Sequence, residues 1–154
     1  MRKSLPTIVL AVVFIIASAL PAFAQGHDHG KKAMDHSEHK GEMIHESSVD
    51  GYKFGYHLID MKEKMKHMKN MPEMKATHHL MVYVESPDGH EVEKAKVGYL
   101  VEGPGDSKQK LMAMGMAGGF GADVDFSAKG AYVVKTKMVA GDKKLADKFE
   151  YEVK

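Results

Sequence analysis

The alternation of apolar and polar residues between positions 77 and 154 restricts the fold of this 154-residue chain more than any other feature. Every second position over 132–138 points to one face, with Tyr132, Val134, Thr136 and Met138, and residues 120–126 and 149–153 show the same period. A period of two places one face of an extended strand against a core and the other in solvent. Turn residues such as Ser86-Pro87-Asp88-Gly89 separate these stretches. We therefore predict an all-β, antiparallel sandwich of about seven strands.

The first 24 residues have the pattern of an export signal. Arg2 and Lys3 precede an uncharged apolar run over 8–20, and Ala22-Phe23-Ala24 supplies a small-x-small cleavage sequence. The apolar run is too short to span a bilayer comfortably. We therefore predict a signal peptide at 1–24, a mature chain that begins at Gln25, a periplasmic location and no stable membrane insertion after cleavage.

Composition excludes several classes of function. The chain has no Cys, so disulfides, thiolate metal sites, a Cys nucleophile and a blue-copper centre are all ruled out. Its 22 basic and 21 acidic residues do not provide the basic surface that nucleic acid requires. No zinc-protease helix or nucleophile elbow is present. We therefore expect a binding protein and not an enzyme, acting as a monomer or weak oligomer.

All ten His lie in the predicted mature chain, and five of them lie in its first part. Residues 25–50 are polar, so we predict a disordered tail before a domain that covers 51–154. Clustered imidazoles bind Cu(II), Zn(II) or Ni(II), and their spacing does not distinguish these metals. The candidate ligands in this tail are His27, His29, His36, His39 and His45.

A histidine at mature position three also suggests a square-planar Cu(II) or Ni(II) site at the amino terminus. Cyclisation of Gln25 would remove the amine that such a site needs.

The predicted domain includes a methionine-rich segment at 61–74, helical or loop, which contains no Leu, Ile, Val or Phe. Thioether sulfur is a soft ligand that selects Cu(I) over hard cations. The alternative is a packed amphipathic turn, because the first methionines have helical spacing and Pro72 would end a helix. The candidate ligands are Met61, Met65, Met68, Met71 and Met74.

Two further groups could contribute ligands. Met112, Met114 and Met116 would share one face of a strand, either as a Cu(I) site or as an inward, core-packing face. His78 and His79 open another strand and would point to opposite faces, with Met81 on the face of His79. The alternative for either His is a simple hydrogen-bonded role.

The stretch from about Tyr52 to Val153 resembles the periplasmic copper-binding sandwiches of the YtkA-like and CopC-like kind. Three features carry the resemblance: Ser86-Pro87-Asp88-Gly89 followed by Ala95-Lys96-Val97, the methionines at 112–116, and Gly130-Ala131-Tyr132-Val133-Val134. The resemblance implies an immunoglobulin-like sandwich and a role in copper handling. CopC-like proteins have a His at mature position one, whereas this chain has Gln25 there. The resemblance therefore does not imply a CopC-type Cu(II) site in this chain.

We therefore predict a periplasmic copper-binding protein for copper sequestration, delivery or resistance, which exchanges metal with a transfer partner. The methionines, helped by His78 or His79, would hold Cu(I), and the tail would hold Cu(II). One alternative is a zinc or nickel buffer that uses the tail, with the methionines as packing. Another is an accessory or adhesion sandwich that binds no metal.

Overall fold

A computed structural model describes residues 40–66 and 74–154 of the protein. This part of the chain forms eight strands, a short helix α1 and one 3-10 turn. In chain order the elements are β1 Glu42–Val49, β2 Tyr52–Asp60, α1 Met61–Met65, β3 His78–Glu85, β4 Lys96–Glu102, the 3-10 turn Pro104–Asp106, β5 Lys108–Met116, β6 Gly119–Val124, β7 Gly130–Ala140 and β8 Lys143–Val153. None of the helices in the described ranges has the length and apolar character needed to cross a bilayer.

All strand pairs are antiparallel, and the strands run in the order β1-β2-β3-β6-β5-β4-β7-β8. Strand β5 belongs to two ladders: residues 108–113 pair with β4, and residues 114–116 pair with β6. This change of partner joins the halves β1-β2-β3-β6 and β4-β5-β7-β8 into one sheet. The sheet is curled nearly into a barrel, which brings the terminal strands β1 and β8 together.

The core lies between the two halves, and the alternation of residues along each strand builds it. Phe54, Tyr56 and Leu58 of β2 face inward, as do Val97, Tyr99 and Val101 of β4. Each large apolar side chain that is removed from water contributes about 1.5–3 kcal/mol to folding. The Tyr99 hydroxyl donates to the Phe120 carbonyl oxygen at 2.9 Å and links the halves through the core.

Asp147 connects the terminal strands at the seam between β1 and β8. The carboxylate accepts a hydrogen bond from Ser47 of β1 and another from the Tyr56 hydroxyl at 3.0 Å. Burial raises the pKa of the Tyr56 phenol, and the negative charge of Asp147 acts in the same direction. Tyr56 therefore stays protonated and donates. Side chains here supply the connection that main-chain hydrogen bonds supply elsewhere in the sheet.

The predicted all-β antiparallel class is confirmed, but an immunoglobulin-like sandwich of about seven strands is not. There are eight strands, and β1 lies inside the predicted disordered tail at 25–50, so that prediction is wrong for residues 42–49. The strand is ordered by tertiary contacts: Ile44 and Val49 pack against the core, and the His45 ring stacks on Phe149 at 4.5 Å.

The predicted signal peptide and residues 25–39 lie outside the described residues. In the Met-rich segment, residues 61–65 are helical, and residues 67–73 lie outside the described part of the chain.

We predict that Asp147→Ala will lower the free energy of unfolding by about 1–3 kcal/mol, because it leaves the buried Tyr56 hydroxyl without its acceptor. Urea denaturation followed by circular dichroism measures the change. Asp142→Ala, in the exposed β7–β8 hairpin, is the matched control and should change stability by less than about 0.5 kcal/mol. Equal stability of the two variants would contradict a structural role for the seam.

Candidate metal centre

One transverse row on the outer face of the sheet carries soft and borderline ligands. In an antiparallel pair, residues directly opposite each other point to the same face. Met43 lies opposite His57, His57 opposite Met81, Met81 opposite Gly121, and Gly121 opposite Met114. The topology therefore aligns three thioethers and one imidazole across strands that are far apart in the sequence.

His79 lies two residues before Met81 on β3, on the same outer face. Its Nδ1 donates a hydrogen bond to Asp123 Oδ1 at 2.6 Å, and Asp123 is its direct cross-strand partner on β6. Because a carboxylate only accepts, the neutral ring carries its proton on Nδ1 and presents a lone pair at Nε2. A metal-binding histidine usually donates a hydrogen bond to a carboxylate from the ring nitrogen that does not bind the metal.

The His79 Nε2 atom is buried and has no hydrogen-bond partner within the described structure. An unsatisfied buried acceptor costs about 1–3 kcal/mol, so such atoms are rare outside functional sites. The imidazole is only 19% exposed. Thr136 Oγ1, in the core, is the other such atom among the described residues. Within that part of the chain, the His79 lone pair, held in place by Asp123, is therefore the strongest indication of a ligand-binding position.

Met81 lies beside this lone pair. Its side chain is 2% exposed, yet it is not part of the core cluster, which takes Leu80 and Val82 from the other face of β3. A Cβ on Gly121 would lie within 3.0 Å of both His79 Nε2 and Met81 Sδ. The absence of a side chain at Gly121 thus creates the space in which the nitrogen and the sulfur meet.

The methionines of β5 point outward. Met112 is 71% exposed, Met114 is 70% exposed and Met116 is 39% exposed, whereas Leu111 and Ala113 pack against the core. The prediction that these three methionines share one strand face is confirmed, and the core-packing alternative is wrong for them. Met114 is in register with Gly121, so it is the β5 methionine next to the His79–Met81 pair.

The structure separates other predicted ligands from this position. The His78 ring lies against Phe126, with Nδ1 2.8 Å from the Thr77 hydroxyl, on the face opposite to His79. His45 lies at the β1–β8 seam and not in a disordered tail. Met61 and Met65 lie on α1, and Met74 is exposed just before β3. The remaining candidates lie outside the described residues: His27, His29, His36, His39, Met68 and Met71.

Met81, Asp123, Gly121 and His57 were not among the ligands predicted from the sequence. A signal for Met81 existed, since it shares the face of His79 two residues along a strand. The other three become recognisable only from the pairing of β3 with β2 and β6. Residues 40–66 and 74–154 contain no cluster of three or more His, Asp or Glu side chains that could hold a metal ion. The group that lies beside the His79 lone pair is the Met81 sulfur.

The fold is similar to that of two proteins of known structure. The FetP protein of uropathogenic Escherichia coli, expressed recombinantly in the periplasm, aligns with a TM-score of 0.57 and 13% identity over 72% of this chain and 93% of FetP. A copper-bound FetP variant aligns with a TM-score of 0.55 and 14% identity, over 73% and 94% of the two chains. The copper-reconstituted P19 protein from Campylobacter jejuni gives a TM-score of 0.56 and 9% identity, also over 73% and 94%.

Neither a protein-family model nor a curated protein sequence matches the chain. At these identities the similarity establishes the fold. The resemblance to copper-binding β-sandwich proteins noted from the sequence is thus confirmed at the level of the fold.

We predict that Gly121→Ala will destabilise the protein by about 1–3 kcal/mol, because the new methyl group overlaps the His79 ring and the Met81 sulfur. The measurement is chemical denaturation without added metal. Gly115→Ala is the matched control, since a Cβ there meets only Phe120 at 3.9 Å. If both variants had the stability of the wild type, the close packing of these two side chains over Gly121 would be refuted.

Proposed function

We propose that this chain is a periplasmic copper-binding protein whose primary site is the His79–Met81 pair on the outer face of the sheet. The observation that carries the proposal is the buried, unpartnered His79 Nε2 atom, next to a buried thioether that takes no part in the core. Asp123 accepts a hydrogen bond from His79 Nδ1 and so fixes the orientation of the imidazole. A bound metal ion would use both lone pairs and remove the cost of leaving them unsatisfied.

The ligand set favours copper, and Cu(I) in particular. Thioether sulfur is soft and binds Cu(I), whereas Mg²⁺, Ca²⁺ and Mn²⁺ prefer oxygen ligands. Imidazole is compatible with copper in either oxidation state. Structural zinc sites use Cys, His and carboxylate ligands, and no Cys is present. Two proteins with this fold have been crystallised with copper, which supports the same cargo here.

Met114 is the third ligand in this proposal. It lies across Gly121 from Met81, and its exposed, flexible side chain can rotate towards the site. The buried pair would hold the ion, and the exposed sulfur would be replaced by a partner's ligand during transfer. Met112 and Met116, on the same face of β5, would offer successive positions for an arriving or departing ion.

The Met-rich segment 61–74 begins beside the start of β3, the strand that carries His79 and Met81. The Met61 amide donates to the Thr77 carbonyl oxygen at 3.1 Å, which brings the start of α1 to the start of β3. We propose that methionines of this segment supply further Cu(I) ligands. The His residues at 25–39 would capture Cu(II) separately. In this proposal the protein binds and delivers copper, by sequestration or transfer, and catalyses no reaction.

We predict that Met81→Leu will weaken Cu(I) binding by about tenfold or more, because it removes a sulfur ligand while it preserves side-chain volume. Competition with a chromogenic Cu(I) chelator measures the affinity. Met138→Leu is the matched control: Met138 is 1% exposed in the core, and its replacement should leave copper affinity unchanged.

An unchanged Cu(I) affinity in Met81→Leu would overturn the proposed site. Metal binding that disappears only when residues 25–39 are removed would instead support the zinc or nickel alternative. Absence of stoichiometric metal in every form would support an accessory or adhesion role.

We predict that Asp123→Asn will weaken copper binding by about 10- to 100-fold, because the imidazole loses the carboxylate that fixes its orientation and tautomer. The same chelator competition measures this loss. Asp125→Asn, two residues further along the chain, is the control and should retain wild-type affinity. Equal affinities for the two variants would show that Asp123 does not support a bound metal.

A further inference from the structure

The outward face of the β4-β5-β7-β8 half of the sheet is rich in lysine. Register places Gly98 beside Met112 and Lys137, and Leu100 beside Lys110 and Lys135, so these side chains share one surface. The same alternation continues onto β8. We call this surface the lysine face; it carries seven lysines, at Lys96, Lys108, Lys110, Lys135, Lys137, Lys144 and Lys148.

Acidic side chains neutralise only part of this face. Glu102 lies 2.6 Å from the Lys135 ammonium and 3.4 Å from that of Lys108. The Lys135 hydrogen bond lowers the pKa of Glu102, so this carboxylate is ionised at neutral pH. Glu150 and Glu152 lie on β8 at one end of the face. The other five lysines have no carboxylate within 4.0 Å among the described residues. A chain of net charge +1 thus concentrates positive charge on one surface.

The centre of the lysine face is apolar. Gly98 leaves a shallow groove of about 560 Å³, which is lined by Leu100, Met112 and Val139 and surrounded by lysines. Met112 is 71% exposed, and Val139 is 37% exposed. Exposed apolar groups inside a ring of positive charge match the two parts of an anionic amphiphile, its charged headgroup and its hydrocarbon.

We propose that the lysine face docks on the surface of an anionic phospholipid bilayer. Its charge complements phosphate headgroups, and its central apolar side chains reach the boundary of the acyl region. The basic residues are all lysines, since the only Arg in the chain is Arg2. Lysine is depleted in protein–protein interfaces, where Arg and aromatic residues are enriched, so the composition favours a membrane over an acidic protein. This inference does not depend on copper binding.

Vesicle sedimentation tests the proposal with the exported, mature protein. The probes are vesicles of phosphatidylcholine alone and vesicles of phosphatidylcholine and phosphatidylglycerol in equal amounts. We expect binding only to the second kind, and weaker binding as salt increases. Lys110→Gln/Lys137→Gln should lower the partition coefficient about thirtyfold, since each lysine near an anionic surface contributes several-fold to binding.

Lys62→Gln/Lys64→Gln on α1 is the control with the same change of charge, and it should partition like the wild type. An equal loss in both double variants would show that net charge, and not the lysine face, determines binding, and would overturn the proposal. No binding to phosphatidylglycerol vesicles at low salt would also overturn it, and would leave an acidic protein surface as the partner of this face.

Discussion

The exchange of partners along β5 is the constraint on which the rest of the structure depends. Because one strand pairs with β4 over its first part and with β6 over its last part, a single sheet can enclose its own core. Tyr99, which bonds to the Phe120 carbonyl oxygen, and Asp147, which joins the terminal strands, then hold the two halves together. The outer face is left free for function, and its two halves differ in chemistry: one presents imidazole and thioether groups, and the other presents lysines.

The His79–Met81 pair illustrates how a sheet can place an imidazole and a thioether side by side on its outer face. The inward residues of β3, Leu80 and Val82, supply the packing, so the outward residues need not. Glycine at position 121 provides space on the neighbouring strand, and Asp123 provides the hydrogen bond. Each component lies on a regular strand. The pair is therefore held by the regular strands of the sheet, and rigid positioning of this kind is what the proposed metal binding would require.

The sequence predicted the fold class well because period-two alternation is a local signal that burial imposes on each strand. It did not predict β1, since residues 42–49 contain few apolar groups and are ordered by contacts with β2 and β8. For the candidate site, the shared face of His79 and Met81 followed from spacing alone. Asp123 is 44 residues from His79, and its role depends on the register of β3 with β6, which no local pattern encodes.

The unequal exposure of the methionines has a consequence for chemical damage. Oxidation to the sulfoxide proceeds first at accessible sulfurs and replaces a soft donor with a polar oxygen. Met112 and Met114 are open to solvent, whereas Met81 is enclosed by the sheet and its neighbours. Under oxidative stress the outer sulfurs would therefore be consumed first and would shield the buried one, and sulfoxide reductases could reach the damaged positions without unfolding the protein.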